Sequence, residues 1–394
     1  MIARYSPNFG VLTLLAACAG STQSGAAVAE AKDRLSKVLS SQHVLLTPSG
    51  RGALYLLLRA LGETSPNGRV VMPAYTCSAV AEAARLAGRE VVPLEHGAGG
   101  VNLTPADLRG SLRAGDIVIA THQYGYPCDI RGLVTEAANA GAIVLEDIAA
   151  AFGATIDGQA VGSFGLACFG SFDCSKLLHV PPKGGFAATN DHALSDRLIR
   201  QSALDLKPFA LFEKFKVLLG GLMLALGTRP LFYRLFYGLN FALRGRFTAE
   251  NGVLASQPNG FYSKEFAEWQ AVILLRQLRQ LPAILKRRAA ILERYRRAIQ
   301  DGAEFGVEHA HVEQPGAVIR FPIYVRGNKL EVHRALARKG IDTGFSFTSI
   351  VAPETATNAW SVARAVLNLP MSTSMTEQEQ SCVIDAVHSL GKAR

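Results

Sequence analysis

The stretch "AIVLEDIAAAFGATIDGQAVGSFGLACFGSFDCSK", residues 142–176, opens and closes on short apolar runs. "AIVLED" (142–147) and "ACFGSF" (167–172) are too short for helices and are bounded by turn residues, so both read as buried strands. The same pattern recurs upstream in "VVMP" (70–73), "EVVPL" (90–94) and "DIVIATHQY" (116–124). Helical stretches lie between these runs at 51–61, 77–87 and 130–140. Alternation at this spacing predicts an α/β fold with crossover units around a mostly parallel sheet, packed between helices. The carboxyl ends of such strands are where chemistry collects. Asp147 falls at one such end, and Lys176 follows the next strand.

Working outward, 394 residues are many for a single core, so one large domain and one smaller one are expected. The division falls at 1–250 and 251–394. In the second part, Leu274, Leu278, Leu281, Leu285, Leu292, Tyr295 and Ile299 recur at helical steps, and Pro282 is expected to divide this stretch into two helices. Its arginines (Arg276, Arg279, Arg287, Arg288, Arg294, Arg296, Arg297) read as a solvated face. Few aromatics interleave with them and no recognition motif accompanies them, so no nucleic acid is expected. "VIRFPIYV" (318–325), a helix near 330–339 and "GIDTGFSF" (340–347) complete a small C-terminal α/β domain.

Hydrophobic residues form 49% of the chain and charged ones 19%, which excludes a disordered protein, and a net charge of +9 draws anions. The six cysteines form no C-x-x-C pair and have no histidines at zinc-site spacing, so neither a metal site nor a disulfide framework is expected. "VLTLLAACAGS" (11–21) resembles a lipoprotein cleavage box at Leu15–Cys18. Its weakly charged start, and the lack of a polar linker before the next helix, favour a cytoplasmic chain instead.

Apolar residues are in surplus within an insert at 209–247. There, "FKVLLGGLMLALGTRPLFYRLFYGLNFALRGRF" (215–247) holds a twelve-residue uncharged run, Val217–Thr228, then aromatics spaced by Arg229, Arg234, Arg244 and Arg246. A bilayer span needs about 20 residues. The segment suits either a helix lying in the inner membrane interface or a buried helical hairpin packed on the main domain or on a partner subunit.

A lysine amine that condenses with an aldehyde holds it in place. Pyridoxal phosphate needs such a lysine, a carboxylate to keep its ring nitrogen protonated, and a phosphate cradle. Lys176 and Lys183 are the candidate lysines and Asp147 the carboxylate. In "TPSGRGALYLLLRAL" (47–61), Gly50 and Gly52 open a helix N-terminus to an anion, Arg51 offers a forked donor pair, and Ser171 adds a hydroxyl.

The set "SGRGAL", "VVMPAYTC", "THQYGYPCDI", "EDIAAAFGA", "VGSFG" and "GSFDCSK", with "FAEWQAVILL" (266–275) and "LNLPMSTSMTEQE" (367–379), resembles the DegT/DnrJ/EryC1/StrS family, the sugar aminotransferases of fold type I. The resemblance implies a large pyridoxal phosphate-binding domain and a homodimer. It implies that Lys176 bonds the cofactor, Asp147 pairs with its pyridinium, and Gly50, Arg51, Gly52 and Ser171 hold its phosphate. The implied reaction moves an amino group, generally from glutamate, to a nucleotide- or lipid-linked keto sugar for a polysaccharide, glycolipid or secondary metabolite. Several positions depart from the family pattern. Ala150 replaces a glutamine and Phe152 a histidine, while Cys77 takes the place of the aromatic that covers the cofactor ring, leaving Tyr75 as an alternative cover. Ser263 replaces a partner-subunit asparagine, "GFSFTSIVAP" (344–353) replaces a histidine-containing loop, and Lys183 falls where relatives carry an acid. The resemblance thus selects Lys176 and implies an altered substrate-facing shell. Dehydratase-like relatives exchange this lysine for histidine, and Lys176 argues against that chemistry, although His179 is nearby. A membrane-associated scaffold that keeps the fold without the reaction is the alternative from another class.

Overall fold

The computed structural model describes residues 1–20, 25–97, 100–229, 232–235, 263–347 and 350–392. Nine strands precede the insert: β1 (His43–Thr47), β2 (Val70–Pro73), β3 (Val91–Leu94), β4 (Ile117–Thr121), β5 (Ile143–Asp147), β6 (Thr155–Ile156), β7 (Gln159–Ala160), β8 (Ala167–Ser171) and β9 (Gly185–Thr189). Seven of them form one sheet in the order β1-β9-β8-β5-β4-β2-β3, and β6 pairs only with β7. Pairing is parallel from β8 through β5, β4 and β2 to β3. β9 runs antiparallel to both its neighbours, β8 and β1. The expected mostly parallel sheet is therefore present. β9 is reversed because only the loop 172–184, which holds no helix, joins it to β8, whereas a parallel return needs a crossover.

Register places the chemistry. Thr121 lies opposite Asp147, and Asp147 opposite Phe169, so the carboxyl ends of β4, β5 and β8 stand side by side. The helix Gly50–Ala60 is packed against this sheet through Ala53, Leu54, Leu56, Leu57 and Leu58, all buried. A Cβ at Gly185 would lie 2.3 Å from the Ser49 carbonyl carbon, so only glycine lets β9 and the start of that helix approach so closely.

A second, three-stranded antiparallel sheet consists of β10 (Phe305–Val307), β11 (Phe321–Val325) and β12 (Val366–Leu369), with β11 central. The stretch expected to break at Pro282 is instead one 31-residue helix, Glu268–Ala298. Proline inside a helix costs about 3 kcal/mol. Pro282 sits on the exposed side, and the helix buries Ile273, Leu274, Leu281, Ile291, Leu292 and Tyr295 among others. At roughly 1.5–3 kcal/mol per buried side chain, that face outweighs the proline. The helix also joins the two halves of the molecule, because Ile273 and Leu274 pack in the core beneath the large sheet while Leu292 and Tyr295 pack with the small one.

Two further elements pack against this frame. Residues 1–9 form an extended arm, in which Ile2 bridges to Ile341, Arg4 Nε meets Asp342 at 2.8 Å and Asn8 Nδ2 donates to the Leu177 carbonyl at 3.0 Å. Within the insert, the helix Leu211–Gly227 packs on the helix Val11–Gly20; a Cβ at Gly221 would fall 2.9 Å from Leu14 Cδ2 and 3.2 Å from Pro181. Its outward stripe is exposed, so the hairpin expectation describes one face of this helix only. Among the described residues no helix is long and apolar enough to cross a membrane. The rest of the apolar segment, 230–231 and 236–247, lies outside the described residues, with Arg244 and Arg246 in it.

Candidate active site

The ends of β4, β5 and β8 border a cleft of about 300 Å³, whose wall includes Gly50, Arg51, Cys77, Asp147, Ser171 and Lys176. Segments far apart in the chain thus bring together all but one of the expected residues. The exception, Gly52, lies one step further into its helix, where its N–H donates to Ser49 Oγ at 3.0 Å as an N-cap bond.

Asp147 is 7% exposed, and its Oδ1 accepts the Ala149 N–H at 3.0 Å. Its other carboxylate oxygen has no protein partner among the described residues. Burial pushes the carboxyl upward, and the charges of Lys176 and His122 only partly offset this. Such a group gains from a cation that arrives in the cleft. Behind it, Glu146 points the other way and accepts the N–H groups of Gly162, Phe164 and Gly165 at 2.7–2.8 Å, which fixes the strand end.

The lysine-bearing loop is held from both sides. Ser171 Oγ accepts the Asp173 N–H at 3.2 Å, and the Lys176 N–H donates to the Asp173 carbonyl at 2.9 Å. His179 is fully packed; its Nδ1 donates to the Lys176 carbonyl at 3.1 Å, and its Nε2 accepts the Asn8 N–H. This pattern requires a neutral ring, and burial pushes its pKa down to about 4. His179 is therefore a brace for the lysine loop and does not replace Lys176. Lys183 is exposed at the cleft edge and pairs loosely with Asp173 at 3.7 Å.

At the opposite wall, the helix Gly50–Ala60 begins at the cleft and presents its N-terminus there. Gly50 has to be glycine because a Cβ would lie 2.9 Å from both the Gly170 carbonyl oxygen and Ser171 Cβ. Arg51 is more committed than its sequence position suggests: Nη1 meets the buried Glu82 carboxylate at 2.6 Å. Cys77 caps the next helix, Ser78–Leu86, and burial pushes its thiol upward. Tyr75, the alternative cover for a ring, lies wholly buried behind the wall, with its hydroxyl on that of Tyr124.

Tyr124 and Phe347, which no motif singles out, line the same cleft with Ser346 and Arg320. Both aromatics hold positive φ, 60° and 46°, and Phe347 packs edge-on to Tyr75 at 5.6 Å. A left-handed backbone is costly for bulky residues and persists where surrounding contacts enforce it. No local sequence signal marks them.

The donor set fits pyridoxal phosphate on the chain's own terms. It offers a primary amine, a buried carboxylate with unspent acceptor capacity and a helix N-terminus beside a serine, all bordering one cavity. No cluster of metal-ligating side chains occurs among the described residues.

Comparison with known proteins gives a consistent result. The model of the DegT/DnrJ/EryC1/StrS aminotransferase family matches residues 13–227 and 237–388. The chain is 39% identical over 152 residues to UDP-N-acetyl-3-dehydro-alpha-D-glucosamine 3-aminotransferase of Acidithiobacillus ferrooxidans, covering 38% of this chain and 41% of that protein. It is 24% identical over 386 residues to the spore coat polysaccharide biosynthesis protein SpsC of Bacillus subtilis, covering 93% and 90%. The first curated relatives are thus matched over only about two fifths of their length. Among solved structures, Helicobacter pylori PseC, an aminotransferase involved in the biosynthesis of pseudoaminic acid, superposes with a TM-score of 0.78 over 100% of both chains at 16% identity. That likeness bears on the fold, which is fold type I.

Proposed function

The chain belongs to the DegT/DnrJ/EryC1/StrS aminotransferase family, and from that premise we propose that it is a pyridoxal phosphate-dependent enzyme that moves an amino group from glutamate to a keto sugar. The observation that carries the reading is the convergence of Lys176, Asp147, Ser171 and the Gly50 helix start on one cleft. The first relative named above acts by name on a UDP-sugar, which favours a nucleotide-linked acceptor.

The cofactor, when bound, would supply the aldehyde that accepts the amino group and the ring that draws electrons from the donor carbon. Each residue then has a defined task. Lys176 Nζ holds the cofactor between turnovers and takes and returns the proton at the donor's α-carbon. Asp147 keeps the ring-nitrogen proton in place by its negative charge. Gly50, Ser171 and Arg51 hold the phosphate at the helix N-terminus, where backbone N–H groups and the helix dipole favour an anion. Gly52 supports them through its cap bond to Ser49. Cys77 would line the space for the ring, and Phe347 and Tyr124, on the same cleft, would supply the aromatic cover that the sequence lacks at that position. A homodimer that completes each site belongs to the same proposal. The test is glutamate added alone to cofactor-loaded protein: one equivalent of 2-oxoglutarate per site is expected, and none would contradict the reading.

We also propose that the insert rests on the anionic inner surface of a membrane. Phe212, Phe215, Leu219, Met223 and Leu226 recur at three- and four-residue steps along one side of the helix Leu211–Gly227, between 44% (Leu226) and 66% (Phe212) exposed. Leu12 and Leu15 of the adjoining helix extend the patch. Lys214, Lys216 and Arg229 are exposed around it, and each cation near such a surface adds about 1 kcal/mol. The opposite, buried side of the helix packs through Gly221 on Pro181 of the lysine loop, so the exposed stripe faces away from the protein. The protein should float with phosphatidylglycerol vesicles and lose that behaviour in Phe215→Ser/Leu219→Ser. No flotation of the wild type would overturn the proposal, and a shift from dimer to monomer in the variant would give the face to a second copy of the chain.

A further inference from the structure

Arg288 is the most unusual charged group in the molecule. Seven percent exposed, it points its guanidinium into the protein, where Nη1 donates to the Met371 carbonyl and Nη2 to the Val318 carbonyl at 2.9 Å. Nε is buried with no hydrogen-bond partner. No carboxylate pairs with it among the described residues. Its neighbour is another cation: Arg320, immediately before β11, makes only a 3.5 Å contact with the preceding carbonyl of Ile319 and likewise has no acid partner among the described residues. Burial, with a smaller contribution from the charge of Arg320, pushes the Arg288 guanidinium down to about 9. A buried charge without a counter-charge is destabilising, and the like charge of the half-buried Arg320 beside it adds to the cost. An arriving anion would relieve both.

The space for that anion is present. A hollow of about 20 Å³ is lined by Arg288, Arg320, Lys176, Ser372 and the neutral His179. It shares Ser175, Lys176, Ile319 and Arg320 with the main cleft. A water-sized group needs roughly 10–15 Å³, so the hollow suits one carboxylate head and is too small for a diphosphate. A guanidinium matches a carboxylate with two parallel N–H donors. The arm at residues 4–8 roofs the hollow, with Asn8 tied to Thr373 and Leu177.

We propose that Arg288 and Arg320 form a carboxylate subsite that seats the amino donor beside Lys176. The donor assignment rests on the aminotransferase reading above. Arg288 fixes the arginine pair from beneath, and Arg320, at the junction of hollow and cleft, is the residue the donor meets.

Glutarate, a dicarboxylate with no amine to transfer, is the probe. Calorimetric titration of cofactor-loaded protein in low chloride should show glutarate binding that weakens roughly 10- to 100-fold in Arg320→Gln. Arg320→Lys should recover part of the loss, since it keeps charge but not the forked geometry. Affinity for UDP should be unchanged. No glutarate binding by the wild type, an unchanged constant in Arg320→Gln, or a loss confined to UDP would each overturn the subsite. Arg320 is the position varied because Arg288 also ties down two carbonyls, and its loss would confuse binding with folding. Glutarate binding requires no turnover, so it is separable from the reaction: 2-oxoglutarate released from glutamate with glutarate binding indifferent to Arg320 sinks the subsite alone, whereas the reverse pair sinks the donor assignment with the aminotransferase reading.

Discussion

Lys176→Ala is expected to lower amino transfer from glutamate by at least ~10³-fold, the upper part of the range for loss of a positioned proton carrier, while Lys183→Ala stays within about twofold of the wild type. The two lysines lie seven residues apart in one loop and differ in every physical respect that matters. The Lys176 backbone is braced through its N–H by Asp173 and through its carbonyl by His179. Its charge acts on both Asp147 and Cys77. Lys183 is 49% exposed and pairs with Asp173 at 3.7 Å, a contact weakened by solvent. Burial works to raise the Asp173 carboxyl, yet Lys183 and the Ser175 N–H bring it below its usual value. Lys183→Ala therefore moves Asp173 upward without reaching the chemistry. Steady-state rates of both variants, with folding checked by circular dichroism, decide the matter. Comparable losses in the two would remove the special role of Lys176.

Asp147→Asn should cost about 2–5 kcal/mol of transition-state stabilisation, roughly 30- to 5,000-fold in rate, because it removes one partner of a buried charge pair. The same substitution should not lower the melting temperature of the cofactor-free protein. The sign follows from the direction of the shift. A carboxyl whose folded value lies above its unfolded value stabilises the fold at pH below the unfolded value and loses that contribution as pH rises through the folded one. At neutral pH the ionised Asp147 is thus a liability in the empty cleft, and Asn still accepts the Ala149 N–H. An activity loss without a stability loss identifies a group kept for a bound cation. A drop of several degrees in melting temperature would recast Asp147 as structural.

Much of the fold is legible in the sequence because its signals are local. The apolar runs at 70–73, 116–124 and 142–147 become β2, β4 and β5 within a few residues, since short β-branched segments between helices have few other places to go. The convergence on the cleft is legible for Asp147, Ser171 and Gly50, each at the end of an element, and for Lys176 in the loop that follows β8. Three features are not. The continuity of Glu268–Ala298 depends on burial at a distance, which a rule about proline cannot see. Tyr124 and Phe347 owe their positions to contacts with residues distant in sequence, Ile319 and Tyr75. Arg288 reads by its charge as one of the solvated arginines, yet it fills the gap between Leu285 and Leu292 in the apolar stripe, one helical step from each. That register places it on the core face, and charge alone suggests otherwise. Arg51 illustrates a different limit, for its partner Glu82 lies 31 residues away and no spacing rule links them.

On the proposed reading, Lys176 holds pyridoxal phosphate in a cleft built to let glutamate react. The most direct measurement is the visible absorption spectrum of purified protein supplied with the cofactor, before and after glutamate. A protein-bound visible band is expected in the wild type and in Lys183→Ala, bleached by glutamate in both, and no such band in Lys176→Ala. A band that persists unchanged in Lys176→Ala, or a wild type that stays colourless with cofactor in excess, would contradict it.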